Sequence, residues 1–140
     1  MDAGVAFAAV ACAHLGFQAT VTLLVYPGFT GVGPAEWARF HEAHSRRIVP
    51  LVAVLYLGLL VTVPLALRDD PDPLTWLGAA GVGLALATTA VAAAPTHGRI
   101  GALPPGSPDL PARLRQLQVV DAVRCLGALV GAVGALLAVA

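Results

Sequence analysis

Four apolar segments dominate this chain, each close to the ~20 residues that a bilayer requires. They run from Ala3 to Tyr26, from Ile48 to Leu67, from Leu74 to Ala94 and from Val119 to Ala140. Of the 140 residues, 58% are hydrophobic and only 11% are charged, whereas charged residues make up about a quarter of an ordinary soluble domain. Inside hydrocarbon every backbone N–H and C=O must be satisfied within the chain, which restricts segments of this length to helices. The expectation is therefore all-α: a single transmembrane domain over residues 1–140, an integral membrane four-helix bundle. Its helices should cover about 3–26, 34–67, 74–94 and 110–140, with an amphipathic extension leading into the second.

A cleavable signal peptide is the rival reading of the first segment, since Ala11-Cys12-Ala13 resembles a cleavage site. The segment is too long for one, and Asp2 stands where a signal would carry basic residues, so it reads as a retained helix. Net charge is zero, and nothing points to nucleic acid. Arg39, Arg46 and Arg47 precede the second segment, and Arg99, Arg113 and Arg115 follow the third. The opposite side has only Arg68 beside Asp69, Asp70 and Asp72, with Asp2 at the N-terminus. The positive-inside rule then puts both termini outside and the two long connections in the cytoplasm, as in a bacterial inner membrane protein.

Local signals mark the elements. Tyr26-Pro27-Gly28 reads as a stop, and Pro34 as the first residue of a helix that Pro50 should kink. Trp37, His41, His44, Ile48 and Leu51 share one stripe of that helix, while Glu42 and Arg46 can pair on another. Asp72-Pro73 caps the third helix, which should end at Pro95. Residues 95–111 then form a Pro/Gly loop able to cover a cavity mouth. Gly127-x-x-x-Gly131 offers a small-residue surface for helix contact, and no internal repeat is evident.

The polar residues inside so apolar a chain are the functional clue, because imidazole and carboxylate are costly in lipid and normally face a bundle interior. All four histidines, His14, His41, His44 and His97, lie within or beside the membrane segments. His41-x-x-His44 puts two imidazoles on one helix face. With His97 and the deeper His14 they could hold a transition metal such as copper, iron or zinc. Haem between axial histidines ranks lower, since His14 lies roughly 18 Å from the end of its helix that faces the others. A third reading is acid–base catalysis without metal by the histidines and Asp121, with Gln18, Tyr26, Trp37 and Arg124 binding substrate. Each residue also has a plain structural reading. His41 and His44 suit the head groups, and His97 suits a helix C-terminus. His14 suits a hydrogen bond to a neighbouring helix, and Asp121–Arg124 a buried pair. Tyr26, Trp37 and Trp76 suit an aromatic belt.

Pro27 after the first helix, the Trp37…His41-x-x-His44-x-Arg46 run into the second, and Pro95-Thr96-His97-Gly98-Arg99-Ile100 after the third resemble the anthrone oxygenase-like family. These are small four-helix membrane proteins. In many relatives an Asn stands where this chain has His97, which sets that residue's role apart. The resemblance implies oxidation of a flat, lipophilic, phenolic molecule of the kind met in polyketide pathways. The functional expectation is thus a small membrane oxidoreductase or oxygenase acting on a lipophilic aromatic, phenolic or quinone-like substrate at a histidine-rich site. Membrane lipid would surround it. The alternative is a non-catalytic membrane binding or transport protein, or a complex subunit, with the small-residue surface serving homo-oligomerisation.

Overall fold

The computed structural model describes residues 2–140. They form four helices, each long and apolar enough to cross a membrane: α1 (Ala3–Phe29), α2 (Trp37–Asp69), α3 (Pro73–Gly101) and α4 (Leu110–Ala138). No strand occurs among the described residues. The architecture is the all-α membrane bundle that the hydropathy pattern requires. Two aspartates start the helices that enter from one end. Asp2 accepts from the Val5 N–H at 3.2 Å and Asp72 from the Leu74 N–H at 2.7 Å, each satisfying a donor that the first helical turn leaves free.

Two prolines expected to stop helices do not. α1 continues past Tyr26-Pro27-Gly28 to Phe29, and α3 continues past Pro95 to Gly101. Proline lacks an N–H, and its ring collides with the carbonyl one turn back. In both helices the backbone widens into a π-turn just before the proline, at Val21–Val25 and Thr89–Ala93. The Tyr26 N–H donates to the Val21 carbonyl and the Ala94 N–H to the Thr89 carbonyl. Both are i→i+5 bonds, and such bulges cluster at functional sites. His97 therefore stands inside a helix, and the connection after α3 is shorter than the expected 95–111 loop.

One interval separates Val21 from Thr89, Val25 from Ala93 and Pro27 from Pro95. α1 and α3 thus share one backbone pattern, a π-turn followed by a proline. The same interval carries Tyr56 onto Arg124.

α2 begins at Trp37 rather than Pro34 and runs unbroken through Pro50 and Pro64; both prolines lie on its exposed side. α3 and α4 form the closest pair, and α1 packs on both α4 and α2. A Cβ placed on Gly81 would meet the Gly127 carbonyl at 2.7 Å, and one on Gly127 would meet the Gly81 carbonyl at 2.8 Å. The helix backbones approach too closely for any side chain there, the usual device in lipid, where apolar burial between helices gains little. The Gly127-x-x-x-Gly131 surface is therefore occupied inside the chain by α3. Two apolar clusters fill the bundle. One, around Phe7, Leu59 and Ala132, lies toward the N-terminal end, and the other, around Val21, Phe29, Trp37 and Leu117, toward the end where the histidines gather.

Candidate functional site

Between those clusters lies a layer of buried polar side chains. Asp121 is 1% exposed. Its Oδ1 accepts from Gln18 Nε2, and its Oδ2 from Thr22 Oγ1 at 2.7 Å. Thr22 Oγ1 also reaches the Gln18 carbonyl one turn back, at 2.9 Å. Arg124, one turn along α4, faces Asp121 Oδ1 at 3.5 Å. The i,i+3 spacing read from the sequence thus forms a buried ion pair. Buried charges persist only when paired and hydrogen-bonded, and α1 supplies the hydrogen bonds.

The guanidinium leads outward from this pair. Its Nη1 donates to the Tyr26 hydroxyl at 3.2 Å. Tyr26 Oη lies 3.1 Å from His97 Nε2, and His97 Nδ1 lies 3.3 Å from His41 Nε2. A line of hydrogen bonds therefore joins α4, α1, α3 and α2. Rings stack beside it: His41 and His97 have centroids 5.6 Å apart at 27°, and His44 and His97 are 6.5 Å apart at 20°. Phe29 presents its face or edge to Trp37, Phe40 and His44. The cluster fixes the orientation of the α2 imidazoles, since aromatic pairs prefer tilted or offset geometry.

A cavity of about 380 Å³ adjoins this line. Tyr26, His44, His97, Arg124 and Thr89 give it polar atoms, while Phe17, Val21, Ile48, Val52 and Ala93 make most of its wall. Val49, Ala53 and Ala94 also line it and lie on the outer surface of the bundle. The cavity thus opens sideways between α2 and α3, at the end of both helices where their apolar segments meet the histidine cluster. Ligand sites are typically apolar hollows with a few convergent polar groups, and this hollow has that character.

Not all the expected residues meet there. Tyr26, His44, His97 and Arg124 line the cavity. His41 stands behind His97, and Trp37 stands behind His41, buried at 3% exposure rather than lying in an aromatic belt. Gln18 and Asp121 hold Arg124 from the far side. His14 does not join the other histidines. It is fully buried, neither ring nitrogen has a partner, and its ring meets Tyr56 edge-on at 5.5 Å. Its depth on α1 makes this unavoidable, because His41 and His44 lie near the other end of the bundle. Among the described residues no three histidine, cysteine or carboxylate side chains are placed to hold a metal ion. His41 and His97 face one another through a hydrogen bond, and His14 is remote, so the expected four-histidine metal set does not form.

Two residues passed over in the sequence belong to the site. Thr22 completes the shell of Asp121, and its signal was its place one turn beyond Gln18. Tyr56 bonds Thr89 Oγ1 at 2.6 Å, while Thr89 Oγ1 caps back onto the Ala85 carbonyl at 2.8 Å. A lone tyrosine within the apolar stretch of α2 from Ile48 to Val61 was the available sign.

The fold and site define a four-helix membrane bundle with a laterally open cavity closed at its inner end by a tyrosine, two histidines and a charge-balanced arginine. No family model matches the chain, and neither a curated protein nor a solved structure matches it.

Proposed function

We propose that this protein is a small integral membrane oxidoreductase or oxygenase whose substrate is a lipophilic aromatic phenol, enol or quinone-like molecule. The observation that carries the reading is the cavity of about 380 Å³, apolar along its walls, polar at one end and laterally open. A flat molecule dissolved in the bilayer would enter between α2 and α3 and bring its oxygen to Tyr26, His97 and Arg124. The arginine placement noted above puts that end of the bundle in the cytoplasm, as in a bacterial inner membrane.

The chemistry follows from the donors present. An arene-flanked CH₂ that is the keto form of a phenol becomes more acidic when its oxygen is held by a hydrogen-bond donor, as the Arg124 guanidinium would do. Tyr26 takes the proton as it passes its own to His97 Nε2, 3.1 Å away. The resulting carbanion is oxidised by dioxygen, and loss of water leaves a carbonyl. Overall CH₂ + O₂ gives C=O + H₂O. The residues needed for this, Tyr26, His97 and Arg124, lie on three different helices and meet at one end of one cavity. The small-residue surface that motivated a binding, transport or subunit role is taken up by the α3–α4 contact, which leaves that alternative without its supporting feature.

The test is oxygen uptake by the protein in nanodiscs supplied with an anthrone, corrected for spontaneous oxidation. Catalysis above background, lost by roughly 100-fold in Tyr26→Phe or His97→Ala as for removal of a general acid–base group, supports the reading. No uptake above background with anthrones or with other lipophilic phenols overturns it.

A further inference from the structure

We infer that Arg124 fixes the direction of a proton path running from the cavity through Tyr26 and His97 to His41, and that His41 is its exit. The first step is an asymmetry of donors. A guanidinium can donate but never accept. Arg124 Nη1 lies 3.2 Å from Tyr26 Oη, so the tyrosine oxygen is the acceptor in that bond. Its single proton is assigned to His97 Nε2, 3.1 Å away, the one acceptor among the described residues within hydrogen-bond distance of the hydroxyl. His97 Nε2 must then be the bare nitrogen, which puts the ring proton on Nδ1. That proton points at His41 Nε2, 3.3 Å away. His41 Nε2 is in turn the acceptor, and the His41 proton sits on Nδ1. One donor-only group thus sets the tautomer of two imidazoles in succession.

The far end of the line is open. The Cε1–Nδ1 edge of His41 lies against Gly101, where a Cβ would stand 3.2 Å from both atoms. Gly101 is the last residue of α3, at the bundle end where the chain leaves the helices. The absent side chain leaves room at the His41 edge that carries the outward proton, and the residue retains 7% exposure. At the other end the path stops: past the Arg124–Asp121 pair His14 has no hydrogen-bond partner among the described residues on either ring nitrogen, and beyond it lies the apolar cluster of Phe7, Ala11 and Leu59. The line therefore exchanges protons with one face only and does not cross the bundle.

Proton movement along it balances without other reactants. The Tyr26 proton passes to His97 Nε2, the His97 Nδ1 proton to His41 Nε2, and the His41 Nδ1 proton to water. Arg124 then faces a tyrosinate, and a proton taken from a molecule in the cavity restores the hydroxyl. The imidazoles return to their first tautomers by ring reorientation or by the reverse transfer. His41 does not line the cavity and acts through His97, which makes it a positioning residue rather than a catalytic one. Use of this path in turnover rests on the proposed oxidation, but the path itself can be tested with no substrate present, so either idea can fail alone.

The experiment is solid-state NMR of ¹⁵N-histidine-labelled protein in lipid bilayers at neutral pH, followed by exchange of the His97 ring N–H with deuterated water. The expected result is Nδ1–H for both His97 and His41, against the Nε2–H tautomer that free histidine favours. His41→Phe keeps an aromatic ring against Trp37 but removes the exit. Exchange at His97 should then slow roughly tenfold or more, as for loss of one hydrogen-bonded transfer step. Gly101→Ala keeps the imidazole and presses on its outer edge, and should slow exchange in the same direction. It serves if His41→Phe fails to fold. An Nε2–H tautomer at His97, or unchanged exchange in a folded variant, overturns the inference.

Discussion

Replacing Asp121 by Asn tests whether the buried ion pair is the keystone of the polar layer. The side chain keeps its volume, so the effect reads charge and acceptor capacity rather than packing. Asp121 and Arg124 are separated by 3.5 Å with side-chain exposures of 2% and 6%. At an effective dielectric of ~20, two unit charges at that distance attract by about 5 kcal/mol. Asn also swaps one acceptor oxygen for an NH₂ that must face donors from Gln18, Thr22 or Arg124. Breaking a buried pair by removing one partner costs about 3–5 kcal/mol, because the other charge stays buried. Asp121→Asn is therefore expected to lose that much. The double variant Asp121→Leu/Arg124→Leu removes both charges and leaves the Gln18 amide short of a partner, while Thr22 keeps the Gln18 carbonyl and Tyr26 keeps His97. It should recover at least about half of the loss, since apolar replacement of a whole pair is often near neutral. Reversible unfolding in mixed micelles measures both. An Asp121→Asn protein within about 1 kcal/mol of wild type, or a double variant less stable than the single one, refutes the reasoning.

Three further outcomes follow from the packing. Gly81→Ala should cost about 1–3 kcal/mol or more in the same assay by forcing α3 and α4 apart, whereas Gly83→Ala, which meets nothing within 4 Å, should be neutral or slightly stabilising. His14→Phe should lose no more than about 1 kcal/mol, because neither ring nitrogen has a hydrogen bond to forfeit and an apolar ring suits the site; a larger loss would reveal a partner for that imidazole. Tyr56→Phe should cost about 1 kcal/mol for the lost bond to Thr89, a small value because Thr89 keeps the Ala85 carbonyl.

What the sequence made legible is what hydropathy and short spacings encode. Four long apolar segments leave no fold but a bundle, and Asp72 before Pro73, Glu42 with Arg46 and Asp121 with Arg124 can each be read from one helix alone. The helix ends were misread because proline was taken as a stop. A π-turn lets a helix absorb a proline, and that choice depends on neighbouring helices, which spacing does not reveal. His97 was placed in a loop for this reason. The grouping of histidines was half legible. The stripe that puts His41 beside His44 is local, but the depth at which His14 meets α2 depends on how α1 is set against it. Gln18 was read as facing a substrate, yet its Nε2 is taken by an aspartate more than a hundred positions away in the chain. Nothing local distinguishes the two uses. The glycine surface was recognised as a contact surface, and its partner was missed, because small residues are spread evenly over α3 and α4.

The charge balance of the site restricts what the cavity can hold. Arg124 projects to the cavity, but Asp121 lies against it and neutralises it. In a medium where an unpaired charge is costly, a ligand that arrives as an anion would leave the whole assembly negative. A neutral phenol or ketone adds no charge on entry. It becomes anionic only as a proton leaves, and the Tyr26–His97–His41 line lies beside the cavity to accept that proton. Under the proposed function recognition and deprotonation would be coupled: the site would take the neutral form and stabilise the charge afterwards, with the Arg124 donor already in place. Anthrone and anthracene-9-carboxylate are flat tricyclic molecules of similar size that differ in charge at neutral pH. Quenching of Trp37, which packs on His41 at 5.6 Å, can follow both, with exposed Trp76 replaced by Phe. Anthrone should bind at least about tenfold more tightly than the carboxylate, a difference of about 1.4 kcal/mol. Equal affinity, or preference for the anion, would mean that Asp121 does not balance Arg124 as seen from the cavity.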